Sequence, residues 1–233
     1  SAGIFVVTLV YVGKLVPDQA VPGGYFAFAT VGVALLALAQ AGLSVVGSSL
    51  RQEQVQGTLE VLLSAGLSTT SLAVGMVAYP MIFAVARVVV YLAVAAALGA
   101  LAGAGNWGLA ATAVGLAMVA FAGLGLIAAA LVLVLRQAAG AVAILVTLIG
   151  LGSGVGFPRG FLPSWAEALG QLSPLTHALE IARGALFEQR GWAEAAASLG
   201  TLLGLTVASV ALGYTTLVLG LRWARRRTTL AGY

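Results

Sequence analysis

From Val88 to Leu135 this chain carries no charged side chain, and the same holds from Tyr25 to Leu50 and from Ala195 to Leu221. Such runs decide the fold class first. A globule in water must cover its surface with polar groups, and soluble domains devote about a quarter of their residues to charges. Here 8% of the 233 residues are charged and 61% are hydrophobic, and the mean hydropathy is +1.08. A lipid solvent removes the need for polar cover, because a helix satisfies its own backbone groups and shows lipid only apolar side chains. The chain is therefore expected to be all-α, a polytopic membrane protein. Its net charge of +4 is no footprint of nucleic acid, since the arginines form no broad basic face and end apolar runs. With no cysteine, disulfides and thiolate metal sites are excluded.

A helical span needs about 20 mostly apolar residues. Six are expected within a single transmembrane domain, residues 1–233, at about 2–16, 25–50, 72–101, 109–135, 138–156 and 195–221. The first is short and reads as truncated, because Ser1 already stands inside an apolar run. Pro80 is a candidate kink in the third.

Two polar interruptions break this pattern. In Arg51 to Ser64, Arg51, Glu53 and Glu60 fall among three glutamines, while Val55, Leu59, Leu62 and Leu63 recur at helical spacing. That predicts an amphipathic helix too short and polar to span. Phe157 to Glu194 holds four of the seven acids, three arginines, the one histidine and three of the six prolines. Two short helices fit there. Pro163 starts the first, which carries Trp165 and Leu169; Ser173 and Pro174 make an N-cap and first-turn pair for the second. Leu175, Leu179 and Leu186 share one face of that second helix.

Charge sets the orientation. Arg51, Arg136 and the arginines at 222, 225, 226 and 227 share one side with Glu53 and Glu60. Lys14, Arg159, Arg183 and Arg190 share the other with five acids. The positive-inside rule puts the first set in the cytoplasm.

The segment R-Q-E-Q-V-Q-G-T-L-E-V-L-L, Arg51 to Leu63, and the segment F-L-P-S-W-A-E-A-L-G-Q-L-S-P-L-T-H-A-L-E-I-A-R, Phe161 to Arg183, resemble the membrane subunits of type 2 ABC exporters. In that family an E-x-x-x-G-T-L-E-x-L segment follows the second span, and an L-S-P-L-T-x-x-x-E-x-x-R segment lies between the fifth and sixth. The order of spans and interruptions also matches along essentially the whole chain. The chain departs at Ala65-Gly66, where the family often has Pro, and at Gly75-Met76, where it often has Gly-Lys.

The resemblance implies a cytoplasmic coupling helix that docks on a separate ATPase subunit, with Glu53, Gly57, Thr58 and Glu60 at the matching positions. It implies short outer re-entrant helices between spans five and six, in which Pro174, Glu180 and Arg183 shape the structure. It also implies a second permease copy, identical or not, in a prokaryotic inner (plasma) membrane. ATP and Mg would be held by the partner. The chain itself has no G-x-x-x-x-G-K-[ST] loop, and its single lysine is Lys14. No catalytic or metal site is expected in it.

Several residues admit a plainer reading beside a functional one. Arg87 lies turns deep in an apolar run, where a charge usually faces a cavity or partner; it is a candidate for the substrate pathway, or it snorkels to headgroups. His177 has no second His or Cys nearby and reads as a surface pair with Glu180. Gly200-x-x-x-Gly204 and Gly99-x-x-x-Gly103 fit a dimer interface or packing within the chain, and the Gly150–Gly156 run reads as close helix packing. The C-terminal arginines anchor the last span. The competing class is a secondary transporter or channel not driven by ATP, which predicts internal repeats or coupling residues in the spans. Of the latter, only Arg87 qualifies.

Overall fold

The computed structural model describes residues 24–46, 48, 69–97, 105–135, 139–156 and 170–228. Every regular element within those ranges is helical: α1 (Tyr25–Gln40), α2 (Thr69–Ala97), α3 (Trp107–Leu135), α4 (Ala139–Gly152), α5 (Pro174–Phe187) and α6 (Trp192–Thr228). α1 continues into a π-helical turn, Ala41–Val45. Among the described residues, four stretches are long and apolar enough to cross a membrane: Tyr25–Ser44, Thr70–Ala97, Trp107–Val132 and Trp192–Trp223. Of the expected fifth span, 138–156, the described residues are helical over the 14 of α4. Gly154 ends it by taking a left-handed φ of +70°, a conformation open to glycine without steric cost. The last helix begins at Trp192, three residues before the expected 195, because Glu194 in its first turn accepts from the Gly191 N–H at 3.2 Å. The expected span at 2–16, the amphipathic segment 51–64, Gly99 and Gly103, the Arg136 turn and the helix begun by Pro163 lie outside the described residues.

The contacts group into two compact units. The first comprises 1–37, 86–117 and 149–204; the second comprises 38–85, 118–148 and 205–233.

In the second unit, glycine sets the packing. A Cβ on Gly42 would overlap the Phe121 backbone, and one on Gly125 would overlap the carbonyl of Gly42. Gly123 stands just as close to the Ser209 backbone, and Gly213 to that of Gly123. At 3.6 residues per turn, positions 123 and 125 are about 200° apart around α3. One faces α6 and the other the end of α1, so α3 is clasped on opposite sides. Small residues at such contacts let backbones approach and gain dispersion energy, the main attraction left where lipid is as apolar as leucine. Beside them, Val46, Ala73, Leu126, Ala129, Leu217 and Leu221 form a buried cluster, and Thr70 and Tyr214 hydroxyls meet at 3.2 Å between α2 and α6. Gly200 and Gly204 serve no such contact among the described residues, because a Cβ on either would meet nothing within 4 Å.

The outward faces are greasy. Tyr79, Ile82, Phe83, Leu212 and Leu219 are each more than half exposed, a surface suited to lipid rather than water. Hydroxyls on the spans fold back on their own helix, as Thr112 does to the Gly108 carbonyl at 2.9 Å and Thr201 to that of Ala197 at 3.1 Å. Pro80 is buried within α2, and the helix continues through it.

Gly123→Val is expected to destabilise the protein by about 1–3 kcal/mol through overpacking. It should lower the thermal midpoint in detergent, whereas Gly115→Val, where a Cβ meets open space, should leave it nearly unchanged.

Candidate functional site

The polar side chains of the first unit converge around α5. Ser173 caps this helix: its φ of −90° and ψ of 129° are extended, and its hydroxyl accepts from the Leu175 N–H at 3.2 Å. Pro174 takes the first helical position, where a missing N–H costs nothing. Leu175, Leu179 and Leu186 are buried as their spacing predicts, and so are Ala178, Ile181, Ala182 and Ala185. α5 is therefore covered on most of its circumference and does not lie open on a surface.

Two backbone ties hold the C-terminal half of α5. The Asn106 N–H donates to the Ala185 carbonyl at 2.8 Å, while the Asn106 side chain caps α3 by accepting from the Leu109 N–H at 3.1 Å. Gly105 makes this approach feasible, since a Cβ there would stand 3.0 Å from Leu186 Cα. Beyond the helix, the Glu188 and Arg190 N–H groups both donate to the Gly184 carbonyl, at 3.1 and 3.0 Å. Gln189 between them has a φ of 54°. Gly184 leaves room for the Arg190 side chain, which pairs with Glu188 at 2.8 Å on the exposed rim.

Arg183 is the centre of the arrangement. Its guanidinium donates to the carbonyls of Gly154 at 2.9 Å, Val155 at 2.8 Å and Phe28 at 3.0 Å. It also stacks on the Phe28 ring with 3.4 Å from its central carbon to the ring centroid. Gly154 and Val155 lie two and three residues past the end of α4, so the cation sits near the negative end of the helix dipole. A planar fork of five donors meets several acceptors at once, which an ammonium cannot do. Gly32 completes the fit: a Cβ there would overlap the Val155 carbonyl and come within 2.8 Å of the Arg183 guanidinium. One side chain thereby joins α1, the exit of α4 and α5.

Glu180, one turn earlier on α5, accepts from the Ser198 hydroxyl at 3.1 Å and links α5 to α6. His177, expected to pair with Glu180, places its Nε2 3.0 Å from the Gln171 carbonyl. The Gly150–Gly156 run does serve close contacts, with Gly150 against Leu36 and the Gly152 carbonyl against Gly170.

Of the residues singled out from sequence, Pro174, Glu180 and Arg183 come together here. Arg87 does not. It lies on α2, about 27 Å of helix from Thr69 and about 15 Å from Ala97, is exposed, and makes no hydrogen bond or ion pair among the described residues. Glu53, Gly57, Thr58 and Glu60 lie outside the described residues. Phe28, Gly32 and Asn106 were not singled out. Asn106 before Trp107 was legible as a helix start, but nothing local marks Phe28 and Gly32, which matter only through contacts far along the chain.

Replacing Arg183 by Lys or Ala should destabilise the protein by about 2–3 kcal/mol, the cost of leaving hydrogen-bonded carbonyls without a charged donor. Thermal unfolding in detergent measures this, with Ser173→Ala expected to cost about 1 kcal/mol through the lost cap. Gly32→Ala should behave like the arginine variants, because it forces the same contacts apart.

No curated protein matches the sequence. The family described as ABC-2 type transporter matches residues 3–187, a range that takes in α1 through α5. Four apolar helices long enough to span and this match agree on a multi-pass membrane protein. The chain belongs to the ABC-2 type transporter family as a membrane permease component, in a family whose membrane domain is normally not catalytic.

Proposed function

We propose that the chain is the membrane-spanning subunit of an exporter driven by ATP hydrolysis on a separate subunit. The observation that carries this reading is the family match over 3–187, which includes the Arg51–Ser64 segment. In this reading Arg51–Ser64 is the coupling helix. Gly57 lets a groove of the ATPase approach its backbone, Thr58 lies at the same contact, and Glu53 and Glu60 pair with basic residues of the ATPase. ATP and Mg belong to that partner. Closure of two ATPase subunits would bias a pair of permeases, identical or not, between inward- and outward-open states. The compartment is the plasma membrane of a prokaryote, with the Arg51 side in the cytoplasm. Arg87 would face the cargo path, because a cation deep in a span seeks a cavity or a partner. The mostly apolar spans suit an amphiphilic cargo.

The test is purification of the protein with its associated subunits, followed by reconstitution. An ATPase should co-purify, and Glu53→Ala and Gly57→Trp should each reduce transport-coupled hydrolysis severalfold while the complex stays in the membrane. Normal coupling in both variants, or transport that continues without ATP and collapses with an ion gradient, would overturn the proposal in favour of a secondary transporter.

A further inference from the structure

Arg87 is the one charge between Ala73 and Ala97 of α2. Apolar helix extends about 21 Å before it and about 15 Å after it, and half of a hydrocarbon core is about 15 Å. Lipid headgroups do not reach that depth. Side chains on a helix lean towards its N-terminus, which carries the guanidinium away from the nearer end of α2. Snorkelling is therefore hindered by direction as well as by distance.

Among the described residues nothing neutralises this cation. α2 carries no acid, and the described acids are engaged elsewhere: Glu180 with Ser198, Glu188 with Arg190 and Glu194 with the Gly191 N–H. Val90, Tyr91 and Val94 stand at i+3, i+4 and i+7 from Arg87, on its face of the helix. Val90 is 57% exposed and Val94 37%, while Val88 and Ala95 turn to the buried side. Tyr91 is half-buried, and its hydroxyl has no hydrogen-bond partner among the described residues. The face thus offers one cation and one phenolic donor in apolar surroundings. A lipid tail brings no counter-charge to it. A second copy related by two-fold symmetry meets the same patch with itself, and so sets Arg87 against Arg87. An amphiphile with an anionic head matches both the charge and the surroundings.

We propose, on the exporter reading, that the cargo is an amphiphile with an anionic head, a phosphate or a carboxylate, held by the forked N–H donors of Arg87. Tyr91 donates its hydroxyl to a remaining oxygen of that head, and Val90 and Val94 bear on the apolar body. The anion offsets the cost of a cation in hydrocarbon, and that cost becomes selectivity for the sign of the cargo.

The probes are a pyrene-labelled alkyl phosphate, the matching alcohol and the matching trimethylammonium, titrated by fluorescence into nanodiscs holding the protein with its associated subunits, against empty nanodiscs. The phosphate should bind severalfold more tightly than the other two. Arg87→Gln should remove that preference, Arg87→Lys should keep part of it, and Tyr91→Phe should weaken the phosphate alone. Arg87 is exposed, so the thermal midpoint should not move in its variants. Equal binding of the three probes, or a preference that survives Arg87→Gln, would overturn the proposal. So would disulfide-linked dimers of Val90→Cys, in a chain with no cysteine of its own, because they place a second copy on this face. In proteoliposomes with ATP, transport of the alcohol or the ammonium but not the phosphate would overturn the anionic cargo. Selective binding of the phosphate with no ATP-driven transport of any probe would instead overturn the exporter reading and leave the anion site standing.

Discussion

The last carbonyls of a helix have no partner within it. In a chain this apolar, few groups are available to meet them. At the end of α4 the donor is Arg183, which reaches over from α5 to the Gly154 and Val155 carbonyls and a third on Phe28. The rest of the first unit serves to bring that guanidinium there. Gly154 turns the chain at a left-handed φ, Gly32 clears the face of α1, and the Ser173 cap and the Asn106 tie fix the two ends of α5. Unmet carbonyls away from water are costly enough to justify this many constraints on one side chain.

The second unit is organised on another principle. Its defining contacts are absences of side chain, at Gly42, Gly123, Gly125 and Gly213, and the energy comes from close backbone approach. The π turn over Ala41–Val45 falls at the Gly42 contact. Both units thus solve a shortage of hydrophobic driving force, one with hydrogen bonds to charge and the other with contact distance.

These constructions bear differently on a transporter component. Contacts between small residues offer little that is directional, whereas the Arg183 fork is specific in angle and number and holds three segments in one arrangement. The exposed apolar faces of α2 and α6, buried over only 28% of their spans against 78% for the first, suit contact with lipid.

Much of the architecture was legible in the residues. Apolar runs marked the four long spans among the described residues, three of the runs free of charge and the fourth, on α2, broken only by Arg87, because solvation by lipid acts on composition alone. Ser173-Pro174 announced the start of α5, since capping depends on immediate neighbours. The end of α4 at Gly152 was not legible: an apolar run continues past it, and the turn at Gly154 and its distant donor stop the helix. Glycine was ambiguous throughout. Gly200-x-x-x-Gly204 has the spacing of a packing motif and meets open space, while Gly123 and Gly125 carry the contacts without it. The sequence by itself determined that this chain lives in a membrane and where its polar interruptions fall, because those depend on local composition. Only the tertiary structure decided which glycines are contacts and that Arg183 binds backbone carbonyls, because those outcomes rest on partners from 28 to 155 residues away.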